Sequence, residues 1–245
     1  MSHRYFVEET IVGDQAVLAG PEAHHLAHVM RAKVGAEVTL FDGSGREHLA
    51  RVVKIERAAI YLAILSTSTV DREVSCPLVV GVSLPKGDRQ RWLVEKLVEL
   101  GVTRFVPLTT SRGVAQLTDG ALARLERAVI EAAKQCERNR LMEIAPPQTW
   151  NDFILQAPAD ALRLVAHPGM AKKLRELPAP TRAWGIIAAV GPEGGLTDEE
   201  VRAAQEAGWT AVDLGPRILR VETAAALLAG WGAMIAESAD LSAKR

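Results

Sequence analysis

Apolar and polar positions follow two different periods along this chain. Over roughly the first 70 residues, apolar positions alternate with polar ones or form short runs, a pattern typical of strands. Strands are predicted over residues 4–7, 15–18, 37–41, 48–55 and 60–65. A helix is predicted over residues 21–31, and Asp42-Gly43-Ser44-Gly45 provides a hairpin turn. This part of the chain is expected to form a small barrel or a curled sheet.

A polar segment separates this part from a longer one with a different pattern. Residues 66–77 are rich in Ser and Thr and end in proline, as expected of a linker. Beyond the linker, predicted strands alternate with predicted helices. The strands cover residues 78–84, 104–108, 162–166, 185–190 and 211–214, and the helices cover 88–100, 118–136 and 198–207, with another from near Glu222. We therefore predict an α/β domain with a largely parallel sheet over residues 73–245, after a first domain over residues 1–72.

Composition and charge narrow the classes of protein. The 245 residues are 48% apolar, enough to fill a sizeable core, so disorder is not expected. Lys and Arg number 29 against 30 acidic residues, so a surface that binds nucleic acid must come from local clustering. The N-terminal stretch lacks the apolar core of a signal peptide, and the longest apolar run, residues 224–236, is too short to cross a bilayer. A cytoplasmic location is expected.

Metal binding is not expected from the sequence. The chain has two cysteines, too few for a disulfide framework or a four-ligand zinc site. His24 and His28 have the i, i+4 spacing of paired metal ligands, but no third ligand is evident. Contact with a polyanion or helix packing explains these histidines better.

The strongest chemical signal is the turn Gly191-Pro192-Glu193-Gly194-Gly195. It follows a predicted strand and leads into a helix that Thr197 and Glu200 are expected to cap. Three glycines allow the backbone to approach a ligand closely, although a tight structural turn also explains a single glycine cluster. Neither a lysine nor a hydroxyl follows in the manner of a Walker phosphate loop, so that interpretation fails.

A second turn, residues 214–223, follows the next predicted strand. It combines Leu214 and Gly215 with Arg217, Arg220 and Glu222. Ligands bind at the carboxyl ends of the strands in parallel sheets, so this turn is expected to form a ligand site with the first. Alternatively, the two arginines are solvated surface charges and Glu222 caps a helix.

Further cations follow predicted strands or helices. Lys86 and Arg89 flank a glycine at a helix start, where free N–H groups favour an anion such as phosphate. Arg112 follows another strand, and Arg138 lies near a helix end beside Lys134 and Arg140. The alternative is a set of solvated charges, with Asp88 as a simple helix cap.

Together these motifs resemble the RsmE family of ribosomal RNA uridine-N3 methyltransferases, within the SPOUT superfamily. The resemblance spans nearly the whole chain. Its motifs are His24-His25-Leu26 through Met30-Arg31, Asp42-Gly43, Lys86-Gly87-Asp88-Arg89, Glu99-Leu100-Gly101-Val102, Glu131-Ala132-Ala133 with Gln135, and residues 191–196 and 214–223. Gln90-Arg91 departs from the family pattern beside Trp92, a difference that bears on RNA contacts more than on donor binding.

The resemblance implies a fold, a cofactor and partners. An N-terminal PUA-like β-barrel is expected to help hold RNA, and a C-terminal SPOUT domain is expected to contain a trefoil knot. The expected methyl donor is S-adenosylmethionine, and the expected substrate is a uridine in the decoding region of 16S ribosomal RNA or the small subunit. A homodimer is expected, with Leu227, Leu228, Trp231 and Met234 as an apolar face.

Site residues are carried over position by position. Donor contacts are expected from Ala166, His167, Gly191, Pro192, Gly194, Gly195, Leu214, Gly215, Ile218, Leu219 and Arg220. RNA contacts are expected from Arg31, Lys33, Lys86, Arg89, Arg112 and Arg138.

Catalysis requires a cation for the uracil oxygens and an acceptor for the N3 proton. Arg220 is the first candidate for the cation, with Arg112 or Arg89 as alternatives, and Glu193 or Glu222 is expected to accept the proton. The rival functions are a SPOUT enzyme for another RNA or base position and a non-enzymatic ribosome-assembly factor.

Overall fold

The computed structural model describes residues 4–170, 172–177 and 185–243, with the side chains of all of these except 175 and 239–243. The chain divides into two compact units. The first comprises Met1–Glu73 with Ala133–Leu141, and the second comprises Val74–Ala132 with Met142–Arg245. Each unit is therefore built from segments that are not continuous in sequence.

A five-stranded curled sheet forms the first unit. Its strands are β1 (Arg4–Phe6), β2 (Gln15–Ala19), β3 (Glu37–Phe41), β4 (Arg46–Ile55) and β5 (Ala59–Thr69). The strands lie in the order β1-β3-β4-β5-β2, and all pairs except β1–β3 are antiparallel. Alternate residues point inward, so Leu40, Val52 and Leu62 are almost fully buried in one apolar core. The prediction of these strands is confirmed.

The prediction of a single regular helix over residues 21–31 is wrong. A short helix, α1 (Gly20–His24), passes into one π-helical stretch, His25–Val29, closed by a bond from the N–H of Met30 to the carbonyl of His25. Arg31 then adopts a left-handed conformation with φ of +52°, which ends the helix. The wider π turn is a local departure from the 3.6-residue period on which the prediction rested.

The predicted linker over residues 66–77 begins too early. β5 continues to Thr69 and pairs with β4, with Thr67 opposite His48. The hydroxyl of Thr67 lies 2.9 Å from Nδ1 of His48. β-branched threonine suits a strand, so a Ser/Thr-rich composition does not by itself mark a linker.

Charged groups are buried inside the first unit. Arg4, 4% exposed, donates to the carboxylate of Glu47 at 3.1 Å, to the carbonyl of Arg138 at 3.2 Å and to the side-chain oxygen of Asn139. Arg138, 3% exposed, donates through Nε to Glu73 at 3.1 Å. The expectation that Arg138 contacts RNA stays a prediction, and its guanidinium is buried against a carboxylate in this structure.

A parallel seven-stranded sheet forms the second unit. Its strands are β6 (Leu78–Ser83), β7 (Arg104–Thr109), β8 (Glu143–Ile144), β9 (Gln148–Thr149), β10 (Leu162–Ala166), β11 (Ile186–Val190) and β12 (Thr210–Val212). The order is β12-β10-β11-β6-β7-β8, with β9 also paired to β7. The helices are α2 (Arg89–Glu99), α3 (Asp119–Cys136), α4 (Trp150–Gln156), α5 (Asp198–Glu206) and α6 (Val221–Ala243). The last residues of α3 belong to the first unit.

Several predicted details of the second unit are confirmed. The side chains of Thr197 and Glu200 bond reciprocally to each other's backbone N–H at the start of α5. Gly101 and Gly208 end α2 and α5 with φ of +81° and +83°. The α/β fold class with a curled N-terminal sheet is confirmed, whereas the trefoil knot stays a prediction. Among the described residues, no helix is long and apolar enough to cross a membrane.

One helix, α4, and two short strands, β8 and β9, were not predicted. α4 is seven residues long and begins where the hydroxyl of Thr149 accepts a bond from the N–H of Asp152. Its buried Trp150 and Phe153 pack in a hydrophobic core of the unit. Such a short element spans too few turns for its apolar period to show. β12 also ends earlier than predicted, which leaves Leu214 in the loop that follows.

Candidate active site

Loops from five parallel strands leave one edge of the second sheet. The register aligns the ends of the strands, with Val190 of β11 beside Val82 of β6 and beside Ala166 of β10. Ala166 in turn lies beside Val212 of β12, and Ser83 lies beside Leu108 of β7. The loops after β12, β10, β11, β6 and β7 are consequently neighbours in that order, which is where open α/β sheets bind ligands.

The loops after β10, β11 and β12 enclose a pocket. Of the residues predicted to contact the donor, the pocket lining includes Ala166, His167, Gly191, Pro192, Gly195, Leu214, Gly215, Ile218 and Leu219. Gly194 and Arg220 are not among the lining residues. The lining also contains Pro168, Val190, Glu193, Leu196, Asp213, Arg217, Val221 and Ala224. β10 lies between β11 and β12, so the two predicted turns face each other across the loop that carries His167.

Glycine is required at particular points of these turns. Gly195 and Gly215 have φ of +72° and +121°, a region that side chains with a Cβ rarely adopt. Gly191 is needed for a different reason, since a Cβ there would lie 2.7 Å from Cγ of Leu196. The glycines therefore permit tight turns that keep backbone groups close to the pocket.

Asp213 ties two of the pocket loops together, and sequence reasoning missed it. One carboxylate oxygen accepts a bond from the N–H of Gly215 at 2.6 Å, and the other accepts from the N–H of Gly169 at 3.1 Å. The available signal was an acidic residue directly after a strand and two positions before a glycine. Its effect is to hold the loops after β10 and β12 in a fixed relation.

Arg89 joins the two candidate proton acceptors. Its Nη2 donates to Oε1 of Glu193 at 2.9 Å, and its Nη1 lies 3.7 Å from Oε2 of Glu222. Glu222 is 6% exposed, whereas the side chain of Glu193 is 40% exposed. Glu193 is thus the more accessible of the two carboxylates, and Arg89 connects the start of α2 to a loop that lines the pocket.

Arg112 and its loop also contact the loop after β11, residues 191–197. Nη1 of Arg112 donates to the carbonyl of Gly194 at 3.0 Å. The neighbouring N–H of Ser111 donates at 2.8 Å to Oε1 of Glu200, whose other oxygen accepts the N–H of Thr197 at 2.8 Å. A single carboxylate, 8% exposed as a residue, thereby fixes the Arg112 loop to the start of α5.

The remaining predicted cations are exposed. Arg220 lies just before α6, where its carbonyl accepts the N–H of Ala224, and its side chain is exposed outside the pocket lining. Lys86 in the second unit is exposed, as are Arg31 and Lys33 in the first. Among the described residues, no group of three or more His, Cys, Asp or Glu side chains is arranged to hold a metal ion.

The chemistry of the pocket suits an adenosyl group. Most of its lining is apolar side chain or backbone of turns, and its charged side chains are Glu193, Asp213 and Arg217. Apolar walls with a few placed polar groups are typical of small-molecule sites. No lysine occurs among the described lining residues, so a phosphate-rich cofactor fits less well than S-adenosylmethionine, which carries adenine, ribose and an amino acid group.

Comparisons with known proteins agree along both parts of the chain. The family model of the RNA methyltransferase domain matches residues 72–232, and that of the RNA methyltransferase PUA domain matches residues 18–65. The chain is 32% identical over 231 residues to ribosomal RNA small subunit methyltransferase E of Synechocystis sp., covering 91% of this chain and 75% of the relative. It is 28% identical to the Bacillus subtilis protein of the same name, covering 90% and 92%.

Two solved structures are also similar to nearly the whole chain. The crystal structure of a ribosomal RNA small subunit methyltransferase E from Neisseria gonorrhoeae, bound to S-adenosyl methionine, matches with a TM-score of 0.85 at 33% identity and covers 98% of both chains. A methyltransferase from Legionella pneumophila, in complex with the same cofactor, matches with a TM-score of 0.84 at 28% identity and also covers 98% of both chains.

Proposed function

Because the chain belongs to the ribosomal RNA small subunit methyltransferase E family, we propose that it transfers a methyl group from S-adenosylmethionine to N3 of a uridine in 16S ribosomal RNA. The observation that carries this proposal is the pocket formed by the loops after β10, β11 and β12. Its position at the carboxyl edge of the sheet and its apolar, backbone-rich walls suit the donor.

The donor is held by backbone and apolar side chains. Gly191, Gly195 and Gly215 would bring main-chain groups to the adenosyl part, and Leu214 and Leu219 would pack against it, because all five line the pocket. Bound S-adenosylmethionine supplies an electrophilic methyl group on a sulfonium sulfur. The protein contributes by fixing the loops, chiefly through Asp213, so that the reacting atoms are held in line.

The N3 proton of uracil must leave for nitrogen to act as the nucleophile. Glu193 is the better placed acceptor, because it lines the pocket and is more exposed than the buried Glu222. The negative charge left on the uracil oxygens is stabilised by a guanidinium group. Arg220 remains the first candidate for that role, and Arg112, held against Gly194, is the second.

RNA contacts are distributed over both units. The PUA domain match covers Arg31 and Lys33, which are exposed cations of the first unit. Lys86, Arg89 and Arg112 belong to the second unit, on the loops after β6 and β7. A target base has to be unstacked before its N3 can reach the donor, so contacts to the flanking RNA assist catalysis. An rRNA substrate implies a cytoplasmic protein.

Dimer formation is a further part of the proposal. On α6, Leu227 and Met234 are 42% and 69% exposed and Trp231 is half-buried, which makes an apolar strip. Leu228, which was expected to share this strip, is 1% exposed and packs inside the unit instead. Burying the strip against a second copy removes apolar surface from water. Met234→Glu should shift the species seen by light scattering from dimer to monomer.

The proposed reaction is tested by mass spectrometry of nucleosides from 16S RNA. A strain without the gene should lack 3-methyluridine in 16S RNA, and a plasmid copy should restore it. Arg220→Ala should fail to restore it while binding the donor almost normally in calorimetry, whereas the exposed Arg202→Ala on α5 should restore it fully. Unchanged 3-methyluridine in the deletion strain would favour another RNA target, and a chain that gives no heat with the donor would favour an assembly factor.

A further inference from the structure

A second, larger concavity lies in the same unit as the donor pocket. It is a cleft of about 660 Å³ between the first turn of α2, the loop before α3 and one face of α3. The lining residues are Gly87, Asp88, Gln90, Arg91, Gln116, Thr118, Ala121, Arg124, Leu125, Arg127, Ala128 and Glu131. Polar and apolar surface contribute about equally to this wall, whereas the wall of the donor pocket is mainly apolar.

Three of the residues that line the cleft are arginines, which carry positively charged guanidinium groups. Arg124 and Arg127 are exposed, and each donates Nε–H to the carbonyl four residues earlier on α3, at 3.2 and 3.1 Å. Within the described residues neither makes an ion pair, so their terminal nitrogens are available to a ligand. Arg91 pairs with Glu95 at 2.6 Å across one turn of α2. Such an exposed pair is worth little, so Arg91 can exchange it for another anion.

Carboxylates moderate the charge of this cleft. Asp88 and Glu131 also line it, against the three arginines. A small, highly charged anion would meet both signs at once. A longer polyanion with charges spaced along its length is better matched, because each phosphate can meet one guanidinium away from the carboxylates.

Both walls of the cleft continue to the donor pocket. Arg89 follows the cleft residue Asp88 in the first turn of α2, and it donates to Glu193 of the donor loop. On the other wall, the loop that carries Gln116 also carries Arg112, which donates to the carbonyl of Gly194. A strand of RNA whose uridine enters the donor pocket therefore meets this cleft with its neighbouring nucleotides.

We propose that the cleft binds the phosphodiester backbone of the RNA substrate beside the target uridine. This inference rests on the proposed function. Backbone rather than bases is the recognised part, because none of the described residues that line the cleft is an aromatic side chain that could stack on a base. Arg91, Arg124 and Arg127 are thus positioning residues that hold the substrate, and they take no part in the transfer itself.

The test compares two double variants of the full-length protein. Arg124→Gln with Arg127→Gln removes two cleft charges, and Arg57→Gln with Arg202→Gln removes two exposed charges elsewhere as a control. Binding to small ribosomal subunits that lack the methyl group is measured over a range of salt concentrations. Losing two phosphate contacts should weaken binding at least tenfold and reduce the slope of log K against log salt by about 1.4.

Turnover at saturating substrate and donor affinity should be nearly unchanged in the cleft variant. The control conditions are that the cleft variant is folded and that the wild-type protein methylates the subunits. If the variant then has wild-type affinity and a wild-type salt slope, the proposal that the cleft binds RNA is overturned, but the proposed function is left intact. Normal binding to free 16S RNA with lost binding to the assembled subunit would overturn it too, in favour of a ribosomal protein partner. No methylation by the wild-type protein would instead overturn the proposed function.

Discussion

Arg4 and Arg138 of the first unit have a different role from Arg89 of the second unit. In the first unit, Arg4 and Arg138 are 4% and 3% exposed, and carboxylates and carbonyls of the same unit surround them. In the second unit, the side chain of Arg89 is 35% exposed and bridges Glu193 of the loop after β11 and Glu222 at the start of α6. Arg138 and Arg89 looked equivalent in sequence, as cations near helix ends. Burial and partners, rather than residue type, separate a structural arginine from one available to a substrate.

The largest expected effect comes from breaking the buried pair of the first unit. Arg138→Ala leaves the carboxylate of Glu73, 14% exposed, without its guanidinium partner. Removing one member of a buried pair costs about 3–5 kcal/mol of unfolding free energy. Arg51→Ala is the matched control, because its pair with Glu37 is 2.8 Å long but about half exposed, and it should cost under about 1 kcal/mol. Chemical denaturation measures the unfolding free energy of both variants, and equal losses would show that burial does not distinguish a structural arginine pair from an exposed one.

The second largest effect is expected from replacing a glycine in the loop after β11. Gly191→Ala places a Cβ 2.7 Å from Cγ of Leu196 and 3.3 Å from its backbone nitrogen, so the turn has to shift. Overpacking of this kind costs about 1–3 kcal/mol, and a loss of that size in the free energy of donor binding weakens the affinity by about 5- to 150-fold. Gly120→Ala in α3, where a Cβ meets nothing within 4 Å, should bind the donor normally. Calorimetry decides, and wild-type affinity in Gly191→Ala would show that the loop does not shape the pocket.

The carboxylate that joins two loops should affect turnover more than donor binding. Glu200→Gln replaces one accepting oxygen by an NH₂ group, so either Ser111 or Thr197 loses the acceptor of its N–H. We expect kcat to fall about tenfold through displacement of Arg112, with donor affinity changed less than threefold. Glu199→Gln, an exposed neighbour on α5, is the control. Equal falls in kcat and donor affinity would indicate a general loosening of the pocket.

The smallest expected effect is a pH dependence of the first unit. Burial lowers the pKa of His48, and repulsion from Arg46 adds to this while attraction to Asp42 opposes it. As pH falls through about 6.5, the usual histidine pKa, the unfolded chain takes up a proton that the folded chain resists. Stability should thus decrease between about pH 7 and pH 5, and less so in His48→Gln. The exposed His28→Gln is the control, and identical profiles for all three proteins would contradict the prediction.

The sequence predicts the strands well because buried residues recur at every second position in the first unit, as in β2, and form short continuous apolar runs in the second unit, as in β11. The sequence also predicts that the loops after the strands of the second unit lie at one edge of the sheet, because parallel strands run in the same direction. The sequence does not predict the partners of charged groups, which are distant along the chain. Arg138 meets Glu73, and Arg89 meets Glu193, through packing alone. For the same reason the bond from Gly169 to Asp213 and the second role of Glu200 are visible only in the folded structure.

The central claim is that the loops after β10, β11 and β12 hold the methyl donor. A crystal structure of this protein grown with S-adenosylmethionine tests it most directly. Density for the adenosyl group should lie between residues 191–195 and 214–219, with main-chain groups of both loops in hydrogen-bond range. Clear density for the donor at any other place, with those loops unchanged and empty, would contradict the account.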